Sequence, residues 1–163
     1  LQALDGTPAA TQLQADISGA GHMSDWVSER LASLGTLKAR NHGFVTSADY
    51  RALLGSAHVC MALQDPEGRY SNFKTPSKIY EFLGYGKAVI ATQVGDIADI
   101  PSTAMIALNR LDSAEIAMHL ERLSNAPDAL AALQAAARQH SVAHFSYEGV
   151  GRRLACLFEK DPS

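Results

Sequence analysis

One segment, Thr75 to Thr92, limits what this chain can fold into more than any other. It reads Thr-Pro-Ser-Lys-Ile-Tyr-Glu-Phe-Leu-Gly-Tyr-Gly-Lys-Ala-Val-Ile-Ala-Thr: a loop, a helix, a tight stop and a buried strand. Pro76 suits the first turn of a helix, where its missing N–H costs nothing. Gly84 and Gly86 end the helix, and Gly86 can take a positive φ. Ala88 to Ala91 is a short apolar run of the kind found in strands covered on both faces, which is how parallel sheets are built.

The rest of the chain repeats that alternation. Leu13 to Ala20 predicts a strand running into the small turn Gly19-Ala20-Gly21. Residues 23–34 predict a helix with Trp26, Val27, Arg30, Leu31 and Leu34 on one face. His42 to Val45 reads as a very short strand, and Thr46 or Ser47 as the cap of a helix to Gly55 with Tyr50, Leu53 and Leu54 inward. Val59 to Leu63 is a buried strand, followed by a polar loop from Gln64 to Lys74. Ala104 to Leu108 is a weaker strand, Asp112 or Ser113 caps a helix to Ser124, Pro127 opens one to His140, and Glu148 to Lys160 is the last. Strands alternating with helices predict an α/β fold with one doubly wound, Rossmann-like parallel sheet. Ligands of such sheets bind at the carboxyl ends of the strands. Loops Gly19–His22, Phe44–Ser47, Gln64–Ser77 and Thr92–Asp96 all belong to such ends.

The 163 residues suffice for one domain, and a net charge of −3 gives no support to nucleic acid as a partner. No apolar run approaches the roughly 20 residues of a membrane span, and there is no signal peptide, so a cytoplasmic location is expected. Cys60 and Cys156 lie far apart in apolar contexts and read as reduced core residues. The six histidines show no metal-type pair on one helix face, and no metal site is expected. Leu1 to Leu4 reads as the tail of a helix that would follow a strand, so residues 1–163 are expected to be a single domain truncated at its N-terminus.

The chemistry concentrates at the start of the helix that Gly84 and Gly86 end. Ser77 and Lys78 lie beside the backbone N–H groups of a helix N-terminus, an anion-binding arrangement. Glu81 follows one turn on, about 5 Å deeper, with Lys78 three residues before it on the same side. Phosphates on the N–H groups and ribose hydroxyls on the carboxylate would make a nucleotide site. Arg69, Lys74, Lys78 and Lys87 face only Glu81 between residues 69 and 87, a local positive excess that suits a diphosphate. The plain alternative is a solvated basic surface with one ordinary ion pair. Gly19-Ala20-Gly21 is less than a dinucleotide fingerprint, and a tight turn explains it equally. His22, at the same strand end, is a further candidate for lining the site.

These pieces, in this order, resemble the C-terminal donor-binding domain of family 4 glycosyltransferases of the GT-B fold, over residues 13–160. Ile17-Ser18-Gly19-Ala20-Gly21 is similar to that family's strand ending in Gly-x-Gly, and Asn41-His42-Gly43-Phe44-Val45 to its Phe-x-Gly-x-Val. Tyr50 through Leu63 is similar to its helix and Ala-Asp-Val strand, and Pro76 through Thr92 is the strongest match, followed by Gly95-Asp96 and Phe145-Ser146-Tyr147.

The resemblance implies the donor-binding half of an enzyme that moves a sugar from a nucleotide-diphosphate sugar to an acceptor hydroxyl. Glu81 would bind the ribose, Ser77 and Lys78 would face the diphosphate, and Val45 would contact the base through its backbone. Gly43, Gly21, Lys74 and Thr75 complete the expected nucleotide site. The first carboxylate of the family's Glu-x7-Glu falls at Phe73 and is absent, and Lys74-Thr75-Pro76-Ser77 replaces the family's glycine-rich loop. No cofactor is implied beyond the donor substrate. The partners implied are the nucleotide sugar, an N-terminal acceptor domain of the same parent and an unidentified acceptor glycan or lipid, with the parent cytoplasmic or peripheral at a membrane. Retention at the anomeric carbon is implied by the resemblance alone. A nucleotide-sugar epimerase half-domain and a non-catalytic Rossmann-like module remain the alternatives.

Overall fold

The computed structural model describes residues 1–73 and 76–159. Lys74 and Thr75, two of the expected site residues, lie outside them. The described elements run α1 (Gln2–Asp5), β1 (Gln14–Ile17), α2 (Ser24–Ala32), β2 (Lys38–Asn41), α3 (Ser47–Ser56), β3 (Val59–Ala62), α4 (Ser77–Gly84), β4 (Ala88–Thr92), β5 (Ile106–Leu108), α5 (Ser113–Asn125), α6 (Pro127–His144) and α7 (Tyr147–Glu159), with 3-10 turns at Pro8–Gln12, Ser71–Phe73 and Gly95–Asp99. Every strand pairing is parallel, as the alternation predicts. The pairings form two sheets, β1-β2 and β3-β4-β5, where one sheet was expected. The chain divides accordingly into two compact units, Leu1–Ala57 with Asp112–Leu130, and His58–Leu111 with the chain from Ala131 on.

In the first unit, Gln14 to Ile17 pair in register with Lys38 to Asn41. Both strands alternate: Ala15, Ile17, Ala39 and Asn41 are half-buried, while Gln14, Asp16, Lys38 and Arg40 are exposed. The core is small and consists of Leu4, Ala10, Leu37 and Ala117, with Leu13, Ala15, Leu34 and Leu120 packed against it. Asp5 ties α1 to the approach of β2 by accepting hydrogen bonds from the backbone N–H groups of Gly35, Thr36 and Leu37 at 2.8, 2.8 and 2.6 Å. These bonds, that from Leu37 foremost, hold its carboxyl below the usual range.

The expected strand at His42–Val45 is displaced to Lys38–Asn41. Its charged residues occupy the exposed face, so a sequence that looks too polar for a strand still pairs. The pattern continues one bond further, from the His42 N–H to the Ile17 carbonyl at 2.8 Å, and then Gly43 turns the chain at φ 60°. The face expected on α2 is also thinner than its spacing suggested. Val27, Leu31 and Leu34 are half-buried, but Trp26 is exposed with the Arg30 guanidinium 5.4 Å from its ring centre. Thr46 caps α3 as expected, its Oγ1 accepting from the Asp49 N–H at 3.2 Å.

In the second unit β4 is buried at all five positions and lies between β3 and β5. Ile79, Phe82 and Leu83 anchor α4 beneath. Its stop follows the expectation: the N–H of Gly86 bonds the Leu83 carbonyl at 2.9 Å and that of Lys87 the Phe82 carbonyl at 3.0 Å, with Gly86 at φ 65°. This is a Schellman closure, which needs a residue without a side chain at the left-handed position. Pro76 is the N-cap rather than a residue of the first turn. Helix α6 continues to His144, past the expected end at His140, because its Ala-rich run carries no stop signal there. The extension puts His140 and His144 four residues apart on one face, rings 4.5 Å apart, a pairing that the expected end had ruled out. Cys60 is buried as expected; Cys156, on α7, is exposed instead.

Candidate functional site

The carboxyl ends of β3 and β4 are fastened to each other. The hydroxyl of Thr92, fully buried, accepts from the Gln64 N–H at 2.7 Å and donates to the Gln64 carbonyl at 2.6 Å. This fixes where the chain leaves β3 for the loop to α4. That loop folds back through Ser71, buried, whose hydroxyl donates to the Asp65 carbonyl. Phe73 stands out from it, exposed.

At the start of α4, Ser77 and Lys78 are exposed on the first turn and Glu81 is half-exposed on the next. The Lys78 Nζ stands 3.9 Å from Glu81 Oε2. The expected Ser77, Lys78 and Glu81 therefore do share one side of one helix. Among the described residues no side chain caps the helix at Pro76. An uncapped N-terminus carries partial positive charge from its backbone dipoles. The other end of the helix is held by Arg138 of α6, whose guanidinium donates to the Gly84 carbonyl. That cation sits where the helix dipole is negative. Gln134, also on α6, donates to the His58 carbonyl at 2.9 Å.

One contact of α4 was not expected from the sequence. The Tyr80 phenol, next to Glu81, donates to Asp96 Oδ2 at 2.7 Å, across sixteen residues. Burial, the hydrogen bond to Asp96 and the charge of Asp99 push that phenol up to about 12. Its ring meets Phe145 edge to face at 4.6 Å, and Phe145 in turn meets His140 at 5.3 Å. Burial, with a smaller effect from His144, holds His140 below its usual value. Only the position of Asp96, just after the turn residue Gly95, hinted at a role.

In the first unit the loops after β1 and β2 are joined by the Gly19 N–H donating to the Gly43 carbonyl at 2.7 Å. His42 Nε2 donates to Asp16 Oδ1 at 2.7 Å. That bond, with a second from Gln14 and the nearby Arg40 charge, holds the Asp16 carboxyl below the ordinary range. Val45 lines an open cavity of about 580 Å³ with His42, Phe44, Thr46 and Asp49. Gly21 lines another of about 430 Å³ with Gly19, His22 and Val27. Gly21 is also engaged locally: the Ser24 hydroxyl accepts from its N–H at 3.0 Å and donates to its carbonyl at 2.8 Å. Gly43 and Val45 thus fall together here, and Gly21 lies across the Gly19–Gly43 bond from them.

Among the described residues no group of three or more His, Cys, Asp or Glu side chains could hold a metal ion. No helix there is long and apolar enough to cross a membrane.

A family model described as "Glycosyl transferase-like" matches residues 1–155. No curated protein matches the sequence. Solved structures match the fold. HepE from Anabaena, solved with UDP and glucose, superposes with a TM-score of 0.72 at 18% identity, covering 98% of this chain and 43% of its own. TarM superposes with a TM-score of 0.73 at 16% identity, covering 96% of this chain and 30% of its own. Sucrose-phosphate synthase from Thermosynechococcus elongatus gives 0.65 at 18%, covering 98% and 40%. The chain spans less than half the length of each of these structures.

Proposed function

The chain belongs to this glycosyl transferase-like family, and we propose that it is the donor-binding domain of an enzyme that moves a sugar from a nucleoside diphosphate to an acceptor hydroxyl. The observation that carries the reading is the start of α4, where Ser77, Lys78 and Glu81 stand on an N-terminus with no side-chain cap among the described residues and a rigidly seated body. In this reading the diphosphate takes the first-turn N–H groups and the Lys78 charge, and Glu81 accepts hydrogen bonds from the ribose hydroxyls. Lys74 and Thr75, outside the described residues, are assigned to the diphosphate as well. HepE, whose structures contain UDP and UDP-glucose, supports the ligand class by its shared fold.

The reaction breaks the bond between the anomeric carbon and the diphosphate. Its demand is the charge that develops on the leaving diphosphate, and fixed donors aimed at that charge are what lower such a barrier. The α4 N-terminus, Lys74 and Lys78 would supply them without a metal. Transfer also needs the acceptor held against the donor, a task we assign to an N-terminal domain of the parent, itself cytoplasmic or peripheral at a membrane. The chain alone would then bind the nucleotide and not turn it over.

The test is a pair of titrations of the chain and its Lys78→Ala variant, with UDP and with uridine, at low and high salt. Loss of the charge should weaken UDP by about 1–2 kcal/mol, the lower part of the range for charged hydrogen bonds. It should flatten the salt dependence of UDP binding and leave uridine alone. Equal loss for both ligands would make Lys78 a support of the helix, not a reader of phosphate.

A further inference from the structure

The second unit holds a carboxylate that the donor site above does not use. Asp96 follows Gly95, whose φ of 59° turns the chain directly after β4. It therefore stands at the carboxyl end of the sheet, the end from which α4 also starts. The 3-10 turn that carries it is rooted in the core: Val94, Ile97 and Ile100 on either side are buried, while Asp96 itself is exposed. Its side chain is aimed by the Tyr80 phenol, which occupies Oδ2. Among the described residues no hydrogen bond reaches Oδ1. Tyr80 is in turn held by Phe145, so the carboxylate rests on a buttressed ring instead of a mobile side chain. The phenol remains a proton donor throughout the physiological range.

This arrangement differs from those of Glu81 and Asp65 in the same unit. Glu81 is paired with Lys78. Asp65 accepts from the Glu67 N–H at 3.0 Å within its own loop. Asp96 accepts from the phenol of Tyr80, the neighbour of Glu81 on α4, and among the described residues its second oxygen takes no hydrogen bond. A carboxylate oxygen with fixed direction is the group that discriminates among sugar hydroxyls, because its hydrogen bonds are charge-assisted and directional. Sites held on rigid elements by supporting contacts keep that direction when the ligand arrives.

We infer that Asp96, aimed by Tyr80, accepts hydrogen bonds from hydroxyls of the sugar being transferred, and so sets which sugar is taken. The inference rests on the nucleotide-sugar reading of α4. Tyr80 is the positioning residue of the pair, and Asp96 the one that touches substrate.

Titration of the chain with UDP and with UDP-glucose separates the parts. Asp96→Asn keeps an acceptor for Tyr80 but removes the charge, and should weaken UDP-glucose about tenfold, as for a hydrogen bond to a charged group, with UDP within about twofold. Tyr80→Phe keeps the ring and the charge but frees the carboxylate. It should weaken UDP-glucose about threefold, the scale of one ordinary hydrogen bond, again sparing UDP. Parallel losses for both ligands in Asp96→Asn would make the pair a structural strap and overturn the inference, as would no change in either. If the unaltered chain binds neither ligand, the nucleotide-sugar reading fails first. If it binds UDP and the sugar adds nothing that Asp96→Asn removes, that reading stands and the role of Asp96 falls.

Discussion

The sheet of β3, β4 and β5 and the pair β1 and β2 are built from the same parallel geometry, yet they differ in what covers them. β4 is buried at every position, with Ala88, Val89, Ile90 and Ala91 fully enclosed. The paired strands β1 and β2 bury neither face completely and expose Gln14, Asp16, Lys38 and Arg40. The first region is held by apolar area, the second by alternation and by carboxylates such as Asp5 and Asp16 that gather backbone and imidazole donors. The region that carries the candidate phosphate site is thus the one with the firmer core. That suits the demand that a site sit on elements which do not yield when a charged ligand is bound.

The largest expected effect lies in that core. Leu83 is fully buried on α4, and Leu83→Ala should cost about 2–5 kcal/mol, the range for truncating a large buried aliphatic. Val27→Ala, on the half-buried face of α2, should cost under about 1 kcal/mol, since it removes little area from a site already open to water. Chemical denaturation of both variants checks the pair. Equal losses would break the contrast between the two regions and mean that the first unit is packed as tightly as the second.

Acid should act on the two regions differently. The Asp5 and Asp16 carboxyls are both held below their ordinary values, the first by backbone donors and the second by His42. A carboxyl depressed in the folded state binds its proton more weakly there than in the unfolded chain. It therefore adds stability above its unfolded value, near pH 4, and that contribution is lost as pH falls through the folded value. Both groups belong to the first unit. Trp26, the one tryptophan of the chain, lies there too, so its fluorescence should report loss of structure below about pH 4. Asp5→Asn should move that transition because the amide cannot gather three N–H groups as a carboxylate does. An unmoved transition would place the acid sensitivity elsewhere.

The same contrast decides what the sequence could reveal. β4 and the stop of α4 were legible because uninterrupted apolar residues and two glycines leave few alternatives. β2 was misplaced because Lys38 and Arg40 look unlike a strand until one face is known to be open to water. The end of α6 was misread because no glycine or proline marks it. The division of the strand pairings between two sheets was not expected, since hydrogen-bonded neighbours are set by tertiary pairing that local patterns do not encode. In the candidate site, the triad Ser77, Lys78 and Glu81 followed from helix spacing alone, three and four residues apart. Tyr80 and Asp96 meet across sixteen residues, and Arg138 reaches Gly84 across fifty-four. Contacts of that range have no periodic signal, which is why the support of α4 went unseen while the side shared by Ser77, Lys78 and Glu81 did not.

The smallest expected effect is the sharpest probe of what the firm core is for. Lys78 and Glu81 form an ion pair at 3.9 Å on an exposed helix face. Such pairs contribute about 0–1 kcal/mol, because water screens the charges and two long side chains lose freedom to meet. Glu81→Gln keeps the shape and removes the charge, so the melting temperature should scarcely move. UDP affinity should fall by about 1.5–3 kcal/mol if the carboxylate takes the ribose hydroxyls, the range for a hydrogen bond to a charged group. The two measurements pull apart only when the residue serves the ligand and not the fold. A melting temperature that drops together with affinity would mean that Glu81 stabilises α4 and reaches the nucleotide only through it. An affinity unchanged in a folded variant would leave the pair as surface chemistry and move the ribose contact to another residue.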